Sequence, residues 1–247
     1  MTNAKKVTDF DAFLSNYDTT TLAIAATFIL GIITVLIFFI KRSTGSGNSI
    51  LFMGINNAGK TAIFLNLIKS ENRLTITSMK QNEGTVQVGG KSLKIIDLPG
   101  NERIRKQYMD QFKKSVKAVF FVVDSFTLPK EVKDVAELLY DILIDGTLTK
   151  YSPTIVIVCN KQDHAMAKSS SVIKNLLQKE LNTLRTTRAA ALDSIDQNEK
   201  VNLLGKKNKD FEFSDLKFKV EFIESTIKDN DGKSGLSSVT DWLEKVA

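Results

Sequence analysis

One octapeptide constrains the fold of this chain more than any other feature. Residues 54–61 read GINNAGKT, which fits the pattern G-x-x-x-x-G-K-[ST]. This pattern carries information only in a specific context, with a buried strand before it and a helix after it. Apolar runs at 48–53 and 62–68 supply that context. The alternative is a chance glycine-lysine turn, and the flanking strand and helix argue against it.

The octapeptide predicts a site for the phosphates of a nucleoside triphosphate. Backbone N–H groups can surround phosphate oxygens only where side chains do not intervene, hence the two glycines. The following helix turns its positive N-terminal end toward the phosphates. Lys60 is expected to reach the β- and γ-phosphates, and the hydroxyl of Thr61 to bind Mg²⁺. The predicted phosphate-binding residues of the loop are Gly54, Asn56, Asn57, Ala58, Gly59, Lys60 and Thr61.

A second motif, D-x-x-G at 97–100, follows the apolar run 93–96. Mg²⁺ keeps several waters and takes few protein ligands, so Asp97 is expected to hold it through water. The N–H of Gly100 is expected to meet the γ-phosphate. Taken alone, the tetrapeptide is weak evidence for a nucleotide site, because a strand that ends in an acidic turn is common.

A third motif, N-K-Q-D at 160–163, follows the buried-strand pattern 154–159. The carboxylate of Asp163 can accept two hydrogen bonds from guanine, with Asn160 and Lys161 beside it. Adenine lacks both donors and would leave a buried charge unpaired, which is costly. A polar turn after a strand is the alternative for this motif alone, but three motifs in this order predict a guanine-nucleotide site.

The rest of the chain alternates apolar strand patterns with helical patterns, which predicts an α/β fold with a mostly parallel sheet covered on both faces. The single cysteine, Cys159, lies in an apolar strand pattern and is expected to be a buried structural thiol. The single histidine, His164, is expected at the surface, because no second histidine or cysteine pair exists to build a metal site.

A run of 22 residues without a charged side chain, 19–40, precedes the octapeptide. As a helix it would extend roughly 33 Å, enough to cross the hydrocarbon core of a bilayer. Acidic residues before it argue against a signal peptide, and its lack of a polar face argues against a core helix. Lys41 and Arg42 favour a cytosolic C-terminal side. The predicted organisation is a tail at 1–18, a transmembrane helix at 19–40, a linker at 41–47 and a folded domain at 48–247.

The polar stretch 192–215 predicts a mobile insertion loop within that domain. Its lysines favour a solvated loop; contact with anionic lipid head groups or ribosomal RNA is the alternative. The net charge of +6 fits proximity to an anionic membrane, and the sequence carries no motif for sequence-specific nucleic-acid binding.

From about residue 48 onward the chain resembles the Ras-like small GTPases, and A-G-K-T with N-K-Q-D resembles their Arf/Sar branch. Together with the apolar segment, the chain most resembles the family of signal recognition particle receptor β subunits, in its fungal form. The resemblance implies a P-loop GTPase fold of six strands with the second antiparallel, and GTP and Mg²⁺ as cofactors. It implies that the backbone N–H of Ser225 contacts the guanine oxygen and that Ser78 or Thr77 closes over Mg²⁺.

The same resemblance implies a single-pass protein of the endoplasmic reticulum membrane with a cytosolic GTPase domain. Its partner would be the soluble α subunit of the receptor, recruited in a GTP-dependent way for co-translational targeting, and the ribosome and translocon are further candidates. One alternative is a membrane-anchored Arf/Sar-like GTPase in vesicle traffic. Another is a constitutive anchor whose GTP is only structural.

One position departs from the family pattern. Hydrolytic Ras-like proteins place a glutamine after the D-x-x-G glycine to orient the attacking water, and this chain has Asn101 there. The asparagine side chain is one methylene shorter. No catalytic residue is therefore assigned, and slow intrinsic hydrolysis is expected unless a partner supplies a group.

Overall fold

A computed structural model describes residues 18–43, 47–70, 75–193, 204–206, 209–227 and 235–247. The chain divides into two compact units, Met1–Gly45 and Ser46–Ala247. Most of the predicted tail (1–17) and part of the predicted linker (44–46) lie outside the described residues.

The first unit contains helix α1, Thr19–Ser43. The residue before the helix, Asp18, contacts its first turn. The carboxylate of Asp18 accepts a hydrogen bond from Thr20 Oγ1 at 3.0 Å, and its carbonyl accepts one from Thr21 Oγ1 at 2.7 Å. Side chains of α1 are described at 20, 21, 23, 24 and 27–35, and large apolar ones among them are exposed, such as Phe28. Over the described part of the chain, no helix proves long and apolar enough to cross a membrane, so the predicted span at 19–40 is not confirmed.

The second unit is built on a six-stranded sheet in the order β2-β3-β1-β4-β5-β6. β2 and β3 pair antiparallel and all other neighbours pair parallel, which confirms the predicted mostly parallel sheet with an antiparallel second strand. The strands are β1 Ser49–Met53, β2 Asn82–Val88, β3 Lys91–Asp97, β4 Val116–Asp124, β5 Thr154–Asn160 and β6 Val220–Glu224. The helices are α2 Lys60–Lys69, α3 Glu102–Phe112, α4 Leu128–Ile144, α5 Gly146–Tyr151, α6 Ser170–Asp193 and α7 Ser237–Val246, with a 3₁₀ turn at Phe213–Asp215.

Helices cover both faces of the sheet. Successive side chains of a strand point to opposite faces, so one strand contributes to two apolar clusters. Val119 and Phe121 of β4 lie in one apolar cluster, which includes residues of α4 and α6. Phe120 and Val122 of the same strand lie in the other, with residues of α2 and α7. Almost every residue of the central strands is therefore buried, as their continuous apolar patterns predict.

The stretch predicted to be a mobile polar loop, 192–215, is packed where the structure describes it. Leu204, Phe211 and Phe213 are buried in the first apolar cluster. Arg185 of α6 also donates from Nη2 to the carbonyl of Lys209 at 2.6 Å. The prediction of a mobile loop is wrong for these residues, because the average polar composition of the stretch does not reveal its buried aromatic side chains.

Two lysines in the described part of this segment form ion pairs within the protein. Lys206 lies 2.8 Å from Asp215, and Lys209 lies 3.0 Å from Glu212. These pairs account for both side chains, so a lipid or RNA contact is not needed to explain them.

The carboxyl ends of the parallel strands meet at one edge of the sheet. Phe52 pairs with Asp97, and Asp124 pairs with Asn160. Ligands of open α/β sheets bind at this edge. The three sequence motifs follow β1, β3 and β5, so the fold brings them together there.

Candidate nucleotide-binding site

The loop between β1 and α2 has a conformation that requires its two glycines. Gly54 and Gly59 have φ angles of 142° and 97°, a region that other residues rarely adopt. A Cβ on Gly54 would also collide with the carbonyl of Val122, and one on Gly59 with the side chain of Asn160. The loop backbone is thus fixed against β4 and the base loop, with Gly59 as the N-cap of α2.

Lys60 is a buried cation at the start of α2. Its Nζ donates to the carbonyl of Ile55 at 2.8 Å. Burial lowers the pKa of this amine from 10.5 to about 8; the charge of Asp97 opposes this shift and that of Arg105 adds to it. An anion held by the loop would supply the electrostatic partner that the amine lacks.

Asp97 lies at the end of β3 with its side chain fully buried. Its Oδ2 accepts hydrogen bonds from Thr61 Oγ1 at 2.7 Å and from Asn82 Nδ2 at 2.9 Å. Its Oδ1 is buried without a partner among the described residues. Burial raises the pKa of this carboxyl, although hydrogen bonds from Asn82 and Thr61 and the charge of Lys60 oppose the shift.

The unpartnered oxygen makes the residues around Asp97 suitable for a divalent cation. The hydroxyls of Thr61 and Ser78 lie 3.1 Å apart, and Ser78 is half-buried while Thr77 is exposed. Mg²⁺ prefers such oxygen donors, so the set fits that ion. Of the two hydroxyls considered from the sequence, the structure brings Ser78 to Thr61. Asn82 was missed, because nothing in the polar start of β2 indicates a contact with Asp97.

The D-x-x-G glycine approaches the phosphate loop closely. A Cβ on Gly100 would collide with the backbone and side chain of Asn56. Asn101 is the N-cap of α3, and its Oδ1 accepts from the N–H of Arg103 at 3.1 Å. Its side chain therefore serves its own helix. Arg105, which sequence reasoning missed, donates from Nη1 to the carbonyl of Gly100 at 2.6 Å.

The N-K-Q-D segment is tied to the phosphate loop through Asn160. This buried side chain donates from Nδ2 to the carbonyl of Ala58 at 2.9 Å and accepts from Ser225 Oγ at 3.2 Å. Asp163 accepts at Oδ1 from Thr226 Oγ1 at 2.9 Å. The segments at 160–163 and 225–226 therefore form one connected base loop.

Lys161 has a φ angle of 65° and its Nζ lies 2.6 Å from Asp124 Oδ2. Burial alone would raise the pKa of Asp124. The ammonium of Lys161 and the N–H groups of Phe126 and Thr127 outweigh burial and hold that pKa below its usual range. The carboxylate thus stays charged and orients Lys161.

Ser225 does not have the role predicted from the sequence. Its N–H donates to the carbonyl of Cys159 at 3.0 Å, so the structure does not support a free N–H for the guanine oxygen. The buried Ser225 instead braces Asn160 through its hydroxyl. Cys159 is buried as predicted, and burial raises the pKa of its thiol to about 12.

A six-stranded, mostly parallel sheet with a phosphate loop after β1, a buried aspartate after β3 and an N-K-x-D base loop after β5 defines a Ras-like P-loop GTPase. Residues 45–220 match the family model described as the signal recognition particle receptor beta subunit. A Rattus norvegicus signal recognition particle receptor subunit beta is 45% identical over 243 residues, which cover 95% of this chain and 90% of the rat protein. The chain therefore belongs to the signal recognition particle receptor beta subunit family, among the Arf/Sar-like GTPases.

Solved structures agree with this assignment. A chain of the mammalian signal recognition particle receptor is 46% identical, with a TM-score of 0.71, and the match covers 81% of this chain and 100% of the other. The SRb-GTP/SRX complex from Chaetomium thermophilum has the same fold at 21% identity and a TM-score of 0.61, covering 80% of this chain and 97% of the other. The mammalian chain is therefore more similar to this one in sequence than the Chaetomium thermophilum chain is.

Proposed function

We propose that this protein is the membrane-associated subunit of a signal recognition particle receptor. GTP controls its affinity for the receptor's α subunit during co-translational targeting to the endoplasmic reticulum. The observation that carries the proposal is the contact between Ser78 and Thr61. It joins the predicted Mg²⁺ site to an exposed segment of the chain, residues 75–80, which we call switch I. A ligand bound at Thr61 would thereby affect the outer surface.

The charged groups of the site suit Mg²⁺-bound GTP. Thr61 and Ser78 would hold Mg²⁺ directly and Asp97 through water, and the metal would neutralise charge between the β- and γ-phosphates. Lys60 would meet the same phosphates with a cation that is already buried and short of anionic partners. The N–H of Gly100 would face the γ-phosphate.

The base loop favours guanine through Asp163. Its carboxylate lies in a segment braced by Asn160 and Ser225, so its position is largely set before a base arrives. Asp163→Asn should weaken GTP binding and raise the relative affinity for xanthosine triphosphate, because the hydrogen-bond pattern at the base is exchanged. Titration with both nucleotides measures the ratio, and an unchanged preference for guanine would contradict the assignment.

Switch I offers apolar contact area to a partner. Ile76 is 91% exposed and Met79 is 73% exposed, on either side of Ser78. Large apolar side chains with this exposure are typical of surfaces that bind another protein. When Ser78 is held by the metal, both neighbours become fixed in position, which lowers the entropic cost of docking.

Membrane association rests on the sequence of residues 19–40. The segment carries no charge, and the described apolar side chains of α1, including Ile24, Phe28 and Ile33, are exposed. Apolar side chains that are exposed on a helix are unfavourable in water but stable in the hydrocarbon core of a bilayer. Resistance of the full chain to alkaline extraction from membranes tests this part, and complete release would contradict it.

The affinity for the α subunit in each nucleotide state tests the central claim. Purified protein is titrated with the α subunit in the presence of a non-hydrolysable GTP analogue, GDP or no nucleotide. We expect the analogue to tighten binding at least about tenfold, a coupling of roughly 1.4 kcal/mol. Equal affinity in all three states would leave only a constitutive anchor with structural GTP.

A pair of variants locates the docking surface. Ile76→Asp should lower the affinity for the α subunit in the GTP state. Val172→Asp makes the same kind of change at an exposed apolar side chain on α6 and should not. The vesicle-traffic alternative is not favoured, because the family model and the rat relative both belong to receptor subunits.

A further inference from the structure

Arg105 is a charged side chain that the nucleotide chemistry described above does not use. It lies in the first turns of α3, is half-buried, and donates from Nη1 to the neutral carbonyl of Gly100 at 2.6 Å. Within the described ranges, no carboxylate lies at ion-pair distance from its guanidinium. Burial lowers the pKa of this guanidinium, and the charges of Glu102 and Asp141 oppose that shift only in part, so the site suits an anionic ligand.

The surroundings of Arg105 indicate where that anion would come from. The side chain lines a cleft of about 760 Å³ together with Asn56, Asn57 and Gly100 of the nucleotide site. The lining from α4 carries the carboxylates Glu131, Asp134, Glu137 and Asp141, and Glu102 and Arg103 of α3 also line the cleft. These acids disfavour an anion in the body of the cleft. An anionic ligand is therefore expected on the phosphate-loop side only.

The same side chain already acts on the phosphate site electrostatically. Burial is the main cause of the lowered pKa of Lys60, and the positive charge of Arg105 adds to it. The positive charges of Lys60 and Arg105 thus repel each other near the predicted phosphate site. A γ-phosphate close to both would attract each of them and offset this repulsion.

We propose that Arg105 is a γ-phosphate-sensing residue that turns from the Gly100 carbonyl to the terminal phosphate when GTP binds. This inference rests on the proposed GTP site. The planar guanidinium suits phosphate oxygens, and GDP has no group at this place. Arg105 therefore favours GTP over GDP and transmits the difference to the start of α3, the helix that follows the D-x-x-G motif.

Nucleotide titration of the full chain tests this role. The probes are the non-hydrolysable analogue GppNHp and GDP, both with Mg²⁺. Arg105→Gln should lower the affinity for GppNHp about 10- to 100-fold, the range of a charge-assisted hydrogen bond, and change the affinity for GDP less than about twofold. Arg105→Lys, which keeps the charge but loses the planar donors, should fall between.

Arg103→Gln is the matched control. Arg103 lies two residues earlier on the same helix, is exposed, and loses the same charge. It should change neither affinity. An equal loss for both nucleotides in Arg105→Gln and Arg105→Lys would show a structural role and overturn the proposal, as would no loss at all. If the unchanged protein binds neither nucleotide, the proposed function fails first and this inference fails with it.

Discussion

Replacing Lys60 by methionine should stabilise the nucleotide-free protein while weakening its binding of GTP. The lysine is only 6% exposed and its amine has one hydrogen bond, to the carbonyl of Ile55. Methionine has a similar length and no charge, so it can occupy the same space without the desolvation cost. The two effects have opposite signs because the buried charge is useful only when phosphates are present.

The magnitude follows from the pKa of the amine. A fall from 10.5 to about 8 corresponds to about 3 kcal/mol of lost stability when Lys60 is charged at neutral pH. Loss of the hydrogen bond to Ile55 reduces this gain by about 1 kcal/mol. Loss of the attraction between the Lys60 charge and Asp97 reduces it by somewhat less. The net gain for Lys60→Met is therefore about 1–2 kcal/mol, or a rise in Tm of about 4 °C for a domain of this size.

The pH dependence has a definite sign. Below pH about 8 both the folded and the unfolded chain hold the proton on Lys60, so the full cost of burial is present. Between about 8 and 10.5 the unfolded chain binds more protons, and the stability of the unchanged protein rises with pH. The advantage of Lys60→Met should therefore be largest at pH 7 and be lost by about pH 10.5.

Thermal melting of nucleotide-free protein, with and without GTP and Mg²⁺, measures both effects. The unchanged protein should gain about 4 kcal/mol at a GTP concentration a thousandfold above Kd, and Lys60→Met should gain much less. The order of the two Tm values thus reverses when GTP is added. Lys69→Met, at the exposed end of the same helix, is the control and should change neither. A lower Tm for Lys60→Met without nucleotide would refute the reasoning.

Three further predictions address other parts of the molecule. Asp97→Asn should remove most of the effect of Mg²⁺ on nucleotide release, which a comparison of release rates with Mg²⁺ and with EDTA measures; an undiminished Mg²⁺ effect would exclude Asp97 from the metal site. Asn101→Gln should speed single-turnover GTP hydrolysis and cost about 1 kcal/mol of stability through the lost helix cap, and an unchanged rate would mean that the position does not limit hydrolysis. Phe211→Ala should lower the free energy of unfolding, measured in urea, by about 3 kcal/mol, because the ring is buried. Glu212→Ala, at the exposed neighbouring residue, should not lower it. Equal free energies of unfolding for the two variants would contradict the packed position of this segment.

The parts of the site that depend on local backbone geometry could be predicted from the sequence. Gly54 and Gly59 have the positive φ angles that the octapeptide pattern leads us to expect, and Lys60 begins the helix that follows it. Contacts between segments distant in sequence could not be predicted. Asn82 reaches Asp97 only because β2 pairs antiparallel with β3, and no motif marks that pairing.

Predictions from averaged composition and from family pattern failed for similar reasons. The stretch 192–215 is polar on average, yet Phe211 and Phe213 are buried in one apolar cluster with residues of α6. Ser225 was assigned a base contact by resemblance, but its N–H continues the pairing of β5 with the chain after β6. Each outcome depends on which partner the tertiary fold provides.

The two halves of the site differ in how far their polar groups are satisfied before a nucleotide binds. At the base loop, Asn160, Ser225 and Asp163 all have hydrogen-bond partners within the protein. At the phosphates, Lys60 is buried without an adequate counter-charge and Asp97 has a buried oxygen without a partner among the described residues. Phosphates and Mg²⁺ therefore relieve costs that the fold already carries, whereas the base fits a loop that is already stable. The nucleotide's contribution to stability should consequently come mainly from its phosphates, so that GTP and GDP raise the Tm far more than GMP does, and a comparable rise with GMP would contradict this division.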